Sequence, residues 1–177
     1  LEKKKTEIFD LAQGMARVDD DMLEYLKVDT RGVLTGNYFG WNLEMEETDS
    51  YEQFNDIWGV SWRRPKPHGL YYDMVYSPLE GATIEEVKKY TWPNPKDEHR
   101  LVDLKRESSE LAKTDCLVVL GTVGLTAGLL QTFQFLMGYE DAFCSLAGDK
   151  KLSHAMVEKL ANLDMEFWEW AIPYLGE

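Results

Sequence analysis

The chain has 177 residues, a formal net charge of −13, 44% hydrophobic residues and 12% aromatic residues. That is enough for one sizeable core, and the acidic balance argues against nucleic acid, because a phosphate-binding surface needs concentrated Lys and Arg. Cys116 and Cys144 are too few for a disulfide framework, which points to a reducing, cytoplasmic setting. No run reads as a signal peptide or a bilayer span, so no membrane partner is expected.

In chain order, Ile8, Leu11, Ala12 and Met15 are spaced for one helix face, with Gly14 against it late. Asp19 to Asp21 then open a short helix over Met22, Leu23 and Leu26. Val28 to Leu34 reads as a short strand that ends at Thr35, Gly36 and Asn37. That small polar ending suits either a turn or a ligand loop. Tyr38 to Ser50 reads as irregular, with Glu44, Glu46, Glu47 and Asp49 as a solvated face. Asp56 to Pro65 (DIWGVSWRRP) reads as a strand with Trp58, Val60 and Trp62 on one side. Pro65 to Gly69 turns the chain, and Leu70 to Val75 returns as the second strand of a hairpin.

Thr83 and Glu86 have capping-box spacing and open a helix to about Tyr90, where Pro93 and Pro95 stop it. Asp97 starts the next helix, with Leu101, Leu104 and Leu111 as its buried stripe. Asp115 to Gly124 (DCLVVLGTVG) then holds an apolar run closed by glycines, with Cys116 as a small core residue. Such a run suits a strand buried on both faces, as in a parallel sheet under helices. Gly121 and Gly124 serve either a tight turn or a ligand loop; the spacing is neither GxGxxG nor a P-loop. Leu125 to Met137 reads as a helix ended by Gly138. Tyr139 to Ala147 forms a short helix with Phe143 and Leu146 inward. The last helix is the longest, with Leu152, Met156, Leu160, Leu163, Phe167 and Ala171 along one face.

Two strands separated by helices, both placed for a parallel pair, imply an α/β architecture with an inserted β-hairpin over one end of the sheet. Metal motifs are missing: His68, His99 and His154 are far apart, and each reads as a turn or solvated residue. No GxSxG elbow is present. Arg63 and Arg64 beside Trp62 are the main polar candidates. Neighbouring strand residues point to opposite faces, so only one of the two can face a pocket and bind a carboxylate; the alternative is a surface arginine stacked on a hairpin tryptophan. Asp56 either orients that arginine or starts the strand.

The strings at Asp56 to Pro65, Tyr72 to Leu79 (YDMVYSPL) and Tyr90 to Pro95 (YTWPNP) resemble the uroporphyrinogen decarboxylase-like superfamily. They look closest to its branch beside corrinoid-dependent methyltransferases. Asp29 to Val33 (DTRGV) and Phe135 to Glu140 (FLMGYE) fit the same pattern. The resemblance implies a (β/α)8 TIM barrel, with its site at the carboxyl ends of the strands. Full members are longer, so residues 1–177 are expected to be a single segment of the barrel, without its first strand and its carboxyl-terminal half, and inactive alone.

On this resemblance the substrate-binding candidates are Thr35, Gly36, Asn37, Arg63, Arg64, Thr122, Gly124 and Gln134. The decarboxylases of the family carry an aspartate at the end of the second strand; the matching position here falls at Thr35 and Gly36. Gln134 lies near the place of their substrate-contacting tyrosine. The resemblance therefore implies a small-molecule substrate and corrinoid-linked methyl transfer, with a corrinoid protein as partner. It implies no cofactor within this segment; zinc would be held by His and Cys of the missing half. Decarboxylation of a tetrapyrrole or another carboxylated substrate is the alternative, and a non-catalytic barrel-derived binding module is the third.

Overall fold

The computed structural model describes residues 8–12, 14–35, 42–121 and 128–174. The fold is mixed α/β, and among these residues the strands form three small sheets and no closed barrel. The first departs from the sequence reading. Strands β1 (Ile8–Asp10) and β2 (Met15–Ala16) pair antiparallel where a helix was expected. Gly14 has φ 64°, a conformation that favours glycine and reverses the chain. Helix α1 (Asp20–Tyr25) follows as expected, with Asp20 and Asp21 in its first turn.

Strands β3 (Thr30–Leu34) and β8 (Leu117–Gly121) pair in parallel, in register from Thr30 with Leu117 to Leu34 with Gly121. The ladder is framed by the Leu117 amide on the Asp29 carbonyl at 2.8 Å and the Thr35 amide on the Gly121 carbonyl at 3.3 Å. The expectation that β8 is buried on both faces fails. Leu117 is 67% and Val119 47% exposed, while Val118 and Leu120 pack on the core. Among the described residues, helix α3 (Val102–Leu111) packs against the β3 side of this pair, and the Leu117–Val119 face has no such cover. Cys116 precedes β8 and is half-buried.

The second correction concerns Asp56 to Pro65. The antiparallel sheet runs β4 (Glu46–Glu47), β5 (Tyr51–Asn55), β6 (Ser61–Pro65), β7 (Asp73–Tyr76) in spatial order. Residues 56–60 form the β5–β6 turn and not the first half of a strand. Asp56 causes this. Its carboxylate accepts the amides of Trp58 at 2.9 Å and Val60 at 3.0 Å. Gly59 at φ 75° completes the reversal. Trp58, Val60 and Trp62 are all buried, as their spacing implied.

Helix α2 (Ile84–Lys89) carries both halves of the expected capping box between Thr83 and Glu86. Asp97 caps a 3₁₀ turn at Glu98–Leu101 that runs into α3. Helix α4 (Leu129–Met137) starts after Gly128 and ends at Gly138, both at positive φ. Helices α5 (Tyr139–Gly148) and α6 (Lys150–Ala171) follow, and the three pack on one another. The α6 stripe is buried at Leu152, Met156, Leu160, Leu163, Phe167 and Ala171, as read from the sequence. The α5 face is not. Ala142 and Ser145 point inward, and Phe143 is 55% and Leu146 40% exposed. The Gly138 junction sets the rotation of α5, and small residues on the inner face allow close approach of α4 and α6.

Leu104 is fully buried, so Leu104→Ala is expected to destabilise by about 2–5 kcal/mol. Phe143→Ala, at a position the hydrophobic pattern ranked as core, is expected to change stability by less than about 0.5 kcal/mol. Urea unfolding of the two variants measures both; equal losses would mean that α5 packs by its Phe143 face.

Candidate functional site

The carboxyl end of β3 carries a buried polar arrangement. Thr35 follows the strand and is 4% exposed. Its Oγ1 accepts from Arg100 Nη2 at 3.2 Å. Arg100 lies on the 3₁₀ turn before α3 and has no exposed surface. Its guanidinium stacks 4.4 Å from the Phe167 ring centroid on α6, a favourable cation–π geometry in a desolvated place. One side chain thus ties the end of β3, the start of α3 and the carboxyl-terminal part of α6.

Arg100 falls outside the Leu101, Leu104 and Leu111 stripe read for this helix. The signal that marks it was in the chain: Arg100 stands four residues before Leu104, hence on the same helix face. Charge alone masked it, because arginines are seldom fully buried.

The expected site residues divide into four groups. Thr35 is at the end of β3, beside Arg100. Gly36, Asn37, Thr122 and Gly124 lie outside the described residues. Arg63 and Arg64 are on the four-stranded sheet, each with partners there. Arg63 Nε donates to Gln53 Oε1 at 2.8 Å and its guanidinium covers the Tyr51 ring at 4.4 Å. Arg64 pairs with Glu52 and covers the Tyr72 ring at 4.7 Å. They face opposite sides, as expected, with Arg64 on the Trp62 side. Gln134 is half-buried on α4 beside Phe135, whose ring meets Trp62 edge-on at 4.9 Å. The sheet therefore seats on α4, and the described partners of its arginines lie within the sheet, not at Thr35.

Glu52 also accepts from the Tyr72 hydroxyl at 2.8 Å. That bond, with the Arg64 partner next, holds the Glu52 carboxyl below its usual range. Burial and the same bond push Tyr72 up to about 12. Asp56 answers the question left open about it: it orients a tryptophan and not an arginine. Its Oδ2 accepts from the Trp62 indole at 2.8 Å. Burial raises its carboxyl above the usual aspartate range, against the lowering effect of the Trp62, Val60 and Trp58 donors.

A shallow cavity of about 340 Å³ lies between α5, the start of α6 and the Gly81–Ala82 turn, with Asp141, Cys144 and Asp149 in its lining. Asp141 accepts the Gly81 amide and Asp149 caps α6 at the Leu152 amide, so both carboxylates serve the fold. Among the described residues no group of three or more His, Cys, Asp or Glu side chains is placed to hold a metal ion. They do not fit a zinc site. No helix of the described residues is long and apolar enough to cross a membrane. Comparison with protein-family models, curated proteins and solved structures finds no match to the chain.

Asp56 supplies a pH test. A carboxyl with a raised pKa in the fold contributes stability that is present below the ordinary aspartate value and is lost as pH rises through the raised one. The unfolding free energy of the wild type minus that of Asp56→Asn is therefore expected to fall as pH rises above the ordinary aspartate value of about 3.9. Taking this difference removes the opposite trend from Glu52 and Glu86, whose carboxyls are held low. A difference that rises with pH would mean that the donors around Asp56 outweigh its burial.

Proposed function

We propose that the chain is part of a uroporphyrinogen decarboxylase-like (β/α)8 barrel that works in corrinoid-linked methyl transfer in the cytoplasm, with a small-molecule substrate at the carboxyl ends of the strands. The observation that carries this reading is the parallel pair β3–β8, joined by a connection that includes α2 and α3. Antiparallel neighbours would have removed it. Parallel strands share their carboxyl side, so the segments after Leu34 and after Gly121 leave the pair at one end. Ligands bind at that end in α/β folds.

Leu117 and Val119 support the barrel further. All-parallel sheets are found with both faces covered. An exposed apolar face on a two-stranded parallel pair calls for a further layer over it, which closure of a longer sheet into a barrel supplies. In a barrel that face is the packed interior.

Methyl transfer is favoured over decarboxylation by Thr35. The family resemblance sets an acidic residue at this strand end in the decarboxylases, and Thr35 is neutral and engaged with Arg100. Gln134 in place of a tyrosine points the same way. The role of Arg63 and Arg64 in substrate binding belongs to the same proposal, and an anion there would have to compete with Gln53 and Glu52.

The test is methyl transfer from methylcobalamin to 2-mercaptoethanol by the complete protein that carries this segment. The thiolate sulfur takes the methyl carbon, and the carbon–cobalt bonding pair stays on the corrinoid. Loss of the methylcobalamin absorption with matching methyl thioether is expected. Thioether no greater than in the protein-free control would sink the methyl-transfer reading. Release of carbon dioxide from uroporphyrinogen would establish the alternative.

A further inference from the structure

We propose that Arg100 is a positioning residue: through Thr35 it fixes the carboxyl end of β3 against α6 and thereby shapes one edge of the substrate mouth. The mouth part of this rests on the barrel reading above; the strand-end part does not.

Arg100 is wholly buried next to Leu101 and Leu104, also buried. An apolar side chain could fill such a place. A buried guanidinium carries a desolvation cost that a hydrophobe avoids, so its presence is poorly explained by stability alone. What it adds is direction. The planar group lies against Phe167 and donates sideways to Thr35, so stacking fixes the plane and the plane aims the bond. The backbone at that point needs the help. The last rung of the ladder, Thr35 amide to Gly121 carbonyl, is 3.3 Å, whereas the first, Leu117 amide to Asp29 carbonyl, is 2.8 Å. The longer rung is the weaker. Arg100 therefore holds β3 at the end with the longer of these two bonds.

The experiment is amide hydrogen exchange at Thr35 and Leu117 in wild type, Arg100→Met, Arg100→Lys and Thr35→Val, all in the complete protein. Met keeps the length of the stem without the donors. Exchange at Thr35 is expected to accelerate about tenfold or more in Arg100→Met, with Leu117 unchanged. Arg100→Lys restores part of the protection, because a donor remains. Thr35→Val accelerates exchange at Thr35 in the same way, and the double variant falls short of the sum of the two, because the residues share the Arg100–Thr35 bond. Equal acceleration at both amides, or none, overturns the proposal: Arg100 is then a core filler.

The second readout is the methyl-transfer assay. KM for the thiol is expected to rise about tenfold in Arg100→Met with kcat within about twofold, the pattern of lost binding geometry. Local exchange at Thr35 with unchanged KM overturns the mouth part. A wild type without methyl transfer overturns the functional reading instead, and the exchange data still decide whether Arg100 holds the strand end.

Discussion

The burial of one face of α6 is the constraint on which the rest of the structure depends. From Leu152 to Ala171 that face is closed to solvent at each expected position. It receives α4, α5 and α2. Further along, Phe167 offers its ring to Arg100. A helix of this length, with a stripe this continuous, gains more from packing than from its own propensity. The elements around it are short by comparison and take their positions from it.

The four-stranded sheet is anchored differently. Asp56 gathers three donors from the turn and from Trp62. Trp62 then packs edge-on against Phe135 of α4, and Trp58 against Trp92 after α2. A single carboxylate thereby sets the path of the turn and the direction of two aromatic anchors. Arg63 and Arg64, which follow Trp62 along β6, are held by Gln53, Tyr51, Glu52 and Tyr72. The polar chemistry of this sheet is largely internal to it. The end of β3 is a different kind of place: a buried cation, a hydroxyl and a strand terminus meet there. It is also the end of the parallel pair at which an α/β site would lie.

Much of the fold was legible because it is local. The Thr83–Glu86 capping box, the Asp97 cap, the breaks at Gly138 and after Tyr90, and the α6 stripe each depend on residues within a few positions of one another. Even the parallel pairing of β3 and β8 followed from two apolar runs with helices between them. Where local rules conflicted, the reading failed. Ile8 to Met15 has helix spacing, yet the turn at Gly14 makes it a hairpin. Asp56 to Pro65 has strand alternation, yet a side-chain carboxylate folds its first half into a turn.

By itself, then, the sequence determined the caps, the helix stops, the long buried stripe and the placing of Thr35 at a strand end. All of these are set by periodicity and by backbone chemistry over short spans. Only the tertiary structure decided which face of α5 turns inward, which face of β8 lies open, and where each cation goes. Those outcomes depend on what sits opposite. Phe143 is outward because Ala142 and Ser145 admit closer helices. Arg64 stays on its sheet because Glu52 and Tyr72 stand across from it. Arg100 is buried because Thr35 and Phe167, far from it along the chain, converge on one point. No pattern in a single segment contains that meeting, since a desolvated charge is tolerated only where distant partners are brought to it.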